Sequence, residues 1–250
     1  MYFSATFRDA TLLQKTIGVL HDLVSECSVT ISPTGIYIQS MDASHVCLIS
    51  AVWPSSDFLK YSSHGTIIIG MHLSNLLKLL KCSNKSDCVT LSIEEEASDV
   101  LMISFQDGTR SADFEMKLLD REDDQMTIPE MDAAAAITME SVEFQTVCKD
   151  LSSIGDTTTI TINEKGVTLT SEGDIGRAVI AYPAIELKYT TEITQSFALR
   201  YLNSFAKGSL VSQRVSLKLN PDMPLVVEFK NDVSYLSFYL APKIDDDVEL

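Results

Sequence analysis

The chain has 250 residues, 45% of them hydrophobic, and 35 acidic against 19 basic side chains leave a formal charge of −16. That length supplies core enough for two ordinary domains, and the acidic balance excludes a global attraction to nucleic acid or an anionic membrane; only basic side chains gathered on one face escape the average. Cys27, Cys47, Cys82, Cys88 and Cys148 are odd in number, form no C-x-x-C pair and follow no signal peptide, and no apolar run reaches the ~20 residues of a membrane span, so a soluble intracellular protein with reduced thiols is expected.

Residues 1–8 alternate Tyr2, Ser4 and Thr6 against Phe3, Ala5 and Phe7, the two-residue period of a half-buried strand. From Asp9, a candidate N-cap, the series Leu12, Leu13, Thr16, Ile17, Leu20, Leu23 and Val24 recurs at helical spacing. The opposite side of that predicted helix carries Gln14, Lys15, Gly18, His21 and Ser25. Ser28–Ser32 and Gly35–Gln39 alternate about Pro33-Thr34 and predict a hairpin in which Gly35 supplies a positive φ. Strands follow at Val46–Trp53 and Gly65–Gly70. A second helix over Leu73–Lys81 sets Lys78 and Lys81 one turn apart on one side. Alternation returns at Val89–Ile93, Val100–Phe105 and Ser111–Leu118, and the short links between these runs suit antiparallel pairing.

Leu118–Glu130 then reads as a hinge between two halves. Asp120, Glu122, Asp123 and Asp124 resist burial, Pro129 blocks helix and central strand, and Met126 and Ile128 are apolar residues in polar company. Beyond it the order begins again, with a strand over Ala133–Thr138 and a helix over Ser141–Ile154. One shift lays Thr30-Ile31 on Thr161-Ile162 and Gly35-Ile36 on Gly166-Val167. Others lay Leu73, Leu76 and Lys81 on Leu199, Leu202 and Lys207, and Leu101, Phe105 and Phe114 on Leu225, Phe229 and Phe238. Three matches in the same order point to a duplicated domain.

The patterns that chemistry requires are missing. Neither G-x-G-x-x-G nor G-x-x-x-x-G-K-[ST] occurs, and His21, His45, His64 and His72 lack a partner at metal-ligand spacing. Asp42, Ser44 and His45 have no G-x-S-x-G elbow and read as a polar loop, while Glu94-Glu95-Glu96 and Asp245-Asp246-Asp247 read as solvated runs. No catalytic residue, metal or cofactor is therefore expected. What remains is placement: Lys15, Lys78, Lys81, Lys149, Arg200 and Lys207 all fall on predicted helices. They are either ordinary solvated helix faces or one basic surface matched to a phosphate backbone, a contact independent of base sequence and weakened by salt.

The chain resembles the proliferating cell nuclear antigen family of eukaryotic DNA sliding clamps. The residues that carry this are Ile38–Val46, Leu79–Cys82, Glu115–Leu118, Ile128–Glu130, Cys148–Ser152 with Ile154–Asp156, Phe197–Asn203, Pro224–Glu228 and Tyr239–Ile244. The resemblance implies an α+β fold of duplicated clamp domains, 1–117 and 133–250 joined by a connector at 118–132, each with two helices on antiparallel sheet. It implies a homotrimeric ring in the nucleus, non-catalytic, without cofactor or metal and without a membrane role. Double-stranded DNA passes through its helix-lined hole, and it docks DNA polymerase, the clamp loader and other clients bearing a short apolar or aromatic motif. Lys15, His21, Lys78, Lys81, Lys149, Arg200 and Lys207 take the DNA-facing positions. Gln14, His21, Thr146 and Ser153 stand where relatives often carry a basic residue or histidine, so a weaker, less salt-sensitive contact is expected.

By the same resemblance, one subunit interface pairs the strand Thr109–Lys117 with Asp174–Tyr182 of the next copy. It would join Arg110, Asp113 and the anchor Phe114 to Ile175, Ala178, Val179 and Ile180; the alternative is that Phe114 fills its own domain's core. The client pocket corresponds to Met41, His45, Val46, Leu48, Met126, Ile128, Pro224, Tyr239, Ala241 and Pro242, any of which is otherwise core. Arg121 replaces a position often apolar, and Glu164 stands where relatives carry a modifiable lysine, with Lys165 beside it. Two further readings are a subunit of the heterotrimeric checkpoint clamp and a metal-dependent nuclease using Asp123 and Asp124.

Overall fold

The computed structural model describes residues 1–84, 87–107, 110–120, 133–183, 185–221 and 223–243. Two compact units divide the chain. The first comprises Met1–Ala43, Ile49–Thr127 and Asn231–Leu236, the second Ser44–Leu48, Ile128–Lys230 and Ser237–Leu250.

The elements up to the connector are β1 (Phe3–Phe7), α1 (Ala10–His21), β2 (Glu26–Ser32), β3 (Gly35–Met41), β4 (Cys47–Pro54), β5 (Lys60–Ser63), β6 (Ile67–His72), α2 (Leu73–Leu80), β7 (Cys88–Ile93), β8 (Val100–Gln106) and β9 (Ser111–Lys117). Their strands run in the orders β5-β1-β7-β8-β9 and β4-β3-β2-β6. After the connector come β10 (Ala135–Glu140), α3 (Ser141–Ser152), β11 (Thr157–Asn163), β12 (Gly166–Gly173), β13 (Gly176–Tyr182), β14 (Glu186–Tyr189), β15 (Ile193–Ala198), α4 (Leu199–Phe205), β16 (Arg214–Leu219), β17 (Leu225–Asn231) and β18 (Ser234–Leu240). These run β14-β10-β16-β17-β18 and β13-β12-β11-β15, so each strand of one half has a counterpart at the same place in the other. The ladders are antiparallel, as the short links require. The α+β duplication read from the sequence is thus present in the fold.

Local chemistry explains the elements. Asp9 caps α1, its carboxylate accepting from the N–H of Thr11 at 2.7 Å and of Leu12 at 3.2 Å. One stripe of that helix, Leu13, Ile17 and Leu20, is buried, and α1 packs on α2 as α3 packs on α4. Gly35 closes the β2–β3 hairpin at φ +152°, where a Cβ would stand 2.3 Å from the Trp53 carbonyl. The Tyr61 hydroxyl donates to the carbonyls of Ser32 and, at 2.9 Å, Gly35; burial, with Tyr37 nearby, pushes its pKa up to about 12. The second unit's core is aromatic. Phe144, Phe197, Phe205, Phe229 and Phe238 are fully buried, with Phe205 and Phe238 stacked at 4.4 Å between centroids.

Five elements differ from the sequence reading. β5 and β14 were not marked by hydrophobic alternation: β14 is exposed on both faces, β5 half-buries only Tyr61 and Ser63 opposite the exposed Lys60 and Ser62, and they gain their form by pairing, β14 with β10 and β5 with β1. The predicted helix over Ser141–Ile154 ends at Ser152, and Lys81 is the C-cap of α2 rather than part of it. Lys207 lies not on the fourth helix but on the 3₁₀ turn Ala206–Leu210 that follows it. Gly208 sets that turn down on the Phe229 ring, where a Cβ would meet ring carbons at 2.5 Å.

Candidate nucleic-acid interface and docking surfaces

The fold exposes the basic residues by burying what lies opposite them. On α1, Lys15 is exposed and His21 half-buried in the last turn, across from Leu13, Ile17 and Leu20. On α2, Leu73, Leu76 and Leu80 are buried while Lys78 and Lys81 stand in solvent, where cations at a helix C-terminus also oppose its negative end. On α3, Phe144, Val147, Cys148 and Leu151 are buried and Lys149 is exposed beside Asp150. On α4, Arg200 is exposed, its guanidinium 4.9 Å from the centroid of the Tyr201 ring, and Lys207 is exposed on the 3₁₀ turn that follows the helix. Neither α1 nor α2 contains an acidic residue; α3 contains Glu143 and Asp150. Among the departures, Gln14 is half-buried on α1, and Thr146 and Ser153 turn their hydroxyls onto the carbonyls of Val142 and Asp150.

The positions assigned to client docking are brought together in part. In the second unit the N–H of Ala241 donates to the carbonyl of Val46 at 3.0 Å, which draws Pro242 and the loop around His45 to one place. His45 adopts φ +56°, a left-handed conformation that turns the chain sharply into β4. Val46, Leu48, Pro224, Tyr239 and Pro242 are half-buried, and Ala241 is exposed, so apolar surface remains open there. Met41 is half-buried at the end of β3 in the first unit. Met126 and Ile128 lie outside the described residues, as do Arg121, Asp123 and Asp124; Leu118 and Leu119 are tied to the first unit by N–H donation to Asp99 and Gly70, both at 2.8 Å.

The residues assigned to the subunit contact sit on two strands that end their sheets. β9 closes one side of the first unit and β13 one side of the second. Arg110 and Asp113 are exposed, and Phe114 is half-buried with its ring edge-on to Phe105 at 5.6 Å. Ile175 is 75% exposed and Val179 58%, unusual values for such side chains, while Ala178 and Ile180 are half-buried.

Sequence reasoning missed a cleft of ≈ 610 Å³ lined by Ser152, Gly155, Asp156, Leu199, Arg200, Asn203 and Lys243. The Asn203 amide donates to Ser152 Oγ, and the Lys243 ammonium to the Thr157 hydroxyl. The signal in the sequence was dispersed, because side chains from three separated segments meet there. Among the described residues no group of His, Cys, Asp and Glu is placed to hold a metal ion, and no helix is long and apolar enough to cross a membrane.

Comparison with known proteins covers nearly the whole chain. A family model for the N-terminal domain of proliferating cell nuclear antigen matches residues 2–126, and one for the C-terminal domain matches 127–244. Proliferating cell nuclear antigen of Caenorhabditis elegans is 37% identical over 258 residues, spanning 98% of each chain.

Proposed function

Since the chain belongs to the proliferating cell nuclear antigen family, and is a DNA sliding clamp serving processivity in replication and repair, we propose that it works as a homotrimeric ring around duplex DNA and performs no catalysis itself. Residues 1–117 and 133–250 form its two clamp domains, and 118–132 connects them. Lys15, His21, Lys78, Lys81, Lys149, Arg200 and Lys207 face the phosphates. Weak contacts suffice there, because a closed ring is held on the strand by topology.

Met41, His45, Val46, Leu48, Met126, Ile128, Pro224, Tyr239, Ala241 and Pro242 receive a short apolar or aromatic segment of a DNA polymerase, clamp loader or other client in the nucleus. The match of both domain models and of the C. elegans relative favours this over a checkpoint-clamp subunit. The observation that carries the ring reading is that each unit buries one stripe of its helices and exposes cations on the other, in a chain of net charge −16. After loading onto nicked circular DNA, the protein should stay bound through gel filtration and leave when the circle is cut. Retention on the linear product would overturn encirclement.

A further inference from the structure

β14 is the last strand of its sheet, so one of its edges is open. Leu187 and Tyr189 pair with Ile137 and Ala135 of β10, which are buried, and therefore share the core side of the sheet. Yet Leu187 is 40% exposed and Tyr189 39%, and Ile185, just ahead of the strand, is 45% exposed. The apolar side of the sheet thus runs one strand beyond the core that it covers.

β5 holds the same place in the first half, and its edge is finished differently. There the large side chain turns inward: the Tyr61 ring lies 6.0 Å from that of Phe3 and 4.9 Å from that of Phe58, and its hydroxyl donates to the carbonyls of Ser32 and Gly35. A strand in this position can keep its apolar groups inside its own unit. β14 leaves them outside, on an edge where backbone groups are also on offer.

We propose that β14 is a self-pairing edge: it pairs antiparallel with β14 of a second copy about a two-fold axis through Leu187, which sets Glu186 of each copy against Lys188 of the other. The joint uses neither β9 nor β13, so it holds whether the chain is alone or in a ring.

The backbone removes half of the possible registers. At the end of the β10–β14 ladder the Thr190 N–H donates to the Ala134 carbonyl at 2.9 Å. Hydrogen-bonded pairs alternate along an antiparallel ladder, so Lys188 and Glu186 also turn their backbone groups to β10, and Leu187 and Tyr189 offer theirs to the open edge. Two such edges can join only with odd-numbered residues opposite odd-numbered ones. A two-fold axis then passes through a residue and not between two.

Charge, shape and the missing N–H of proline choose among the rest. Centred on Glu186 or on Lys188, the joint puts a charge against its own copy. Centred on Ile185, it sets Leu187 against Pro183, which has no N–H to give. Centred on Tyr189, it sets Leu187 against Thr191 and Lys188 against Thr190, with no charge pair at all. Centred on Leu187, the two leucines meet, Ile185 meets Tyr189, and Glu186 faces Lys188 twice by symmetry. Those ion pairs fall at the non-hydrogen-bonded positions, where opposed side chains stand closer.

The occupant follows from the same residues. From Pro183 to Thr191 there is one acidic and one basic side chain, so this stretch is neutral in a chain of net charge −16. A second copy brings both charges at the spacing required, and like copies do not repel at this edge. A joint of five rungs falls short of the ~1,200 Å² at which stable complexes begin, so the pairing is weak and depends on concentration.

The test uses the full chain at about 0.15 M salt. Sedimentation velocity from micromolar to near-millimolar protein should show the mass rising above that of the dilute species, whether that species is one chain or three. Glu186→Lys and Lys188→Glu each set like charges together twice and should lower the association constant at least about tenfold. The double variant should return to within about twofold of the parent, and the two single variants mixed should pair with each other more tightly than either does with itself. Both positions are exposed, and unchanged urea midpoints would show that the fold is intact. In a background of Cys82→Ser and Cys88→Ser, Leu187→Cys should oxidise to a two-chain band on non-reducing gels and Tyr189→Cys should not. No rise in mass, single variants that associate like the parent, mixed variants that pair no better than each alone, or cross-linking through Tyr189→Cys instead overturns the proposal and leaves the ring reading standing. A labelled peptide of residues 185–190 that binds to a protein unable to pair with itself would give the edge to an extended segment of another protein and overturn the second copy.

Discussion

α1 and α3 occupy the same place in the two halves and have the same length, 12 residues, yet only what they bury is alike. Leu13, Ile17 and Leu20 on one and Phe144, Val147 and Leu151 on the other face a core. The solvent sides and the ends have diverged. α1 begins on the capping Asp9 and holds no acidic residue; α3 begins on Glu140 with no side-chain cap, buries the Ser141 hydroxyl without a partner, and carries Glu143 and Asp150 on the same helix as Lys149. A buried stripe answers to packing from all sides, whereas an exposed face answers only to what it meets. The exposed faces of α1 and α2 therefore carry cations with no acidic residue on the same helix, and that of α3 carries both signs.

This contrast can be broken by experiment. The largest difference should be in thiol reactivity: burial raises the pKa of Cys148 and keeps it a protonated thiol inside the core, whereas Cys82 is exposed to the reagent. Mass spectrometry after iodoacetamide should show Cys82 alkylated at least about a hundredfold faster. Next, Lys78→Ala with Lys81→Ala should weaken duplex binding about tenfold and reduce the slope of log affinity against log salt by roughly two, against about twofold and roughly one for Lys149→Ala. Equal losses from the two halves, by fluorescence anisotropy across a salt series, would erase the distinction.

Smaller effects concern the helix ends. Asp9→Ala removes the acceptor of two N–H groups and should cost about 1 kcal/mol in urea unfolding followed by far-UV circular dichroism. Ser141→Ala should change stability by less than about 0.5 kcal/mol, because the hydroxyl it deletes makes no hydrogen bond. A Ser141→Ala cost as large as that of Asp9→Ala would mean that the α3 terminus is held by that hydroxyl after all.

Much of this was legible before any coordinates. The period of three and four in Leu13, Ile17 and Leu20 gave α1 because a helix packed on one side must repeat that way. The β2–β3 hairpin was legible in Gly35, where the chain needs a residue without a side chain. β14 was not, since Glu186, Leu187, Lys188 and Tyr189 are all exposed and its form comes from the partner strand. Nor did Lys207 reveal its 3₁₀ turn, which depends on Phe229, remote in sequence. At the candidate sites, charge could be placed on helices and resemblance assigned Val46 and Ala241 to one pocket, but the bond between them could not be read, because it joins backbones and leaves no mark on residue type.

The chain has a single tryptophan, Trp53, and it is buried in the first unit, 7% exposed, with the Phe7 ring edge-on at 6.3 Å. Its fluorescence is thus a private reporter of that unit, while circular dichroism averages over both. If the emission maximum shifts red at the same urea concentration at which ellipticity is lost, the duplicated halves melt as one cooperative body. If the two curves part, each half keeps its own stability, and the tryptophan says which goes first.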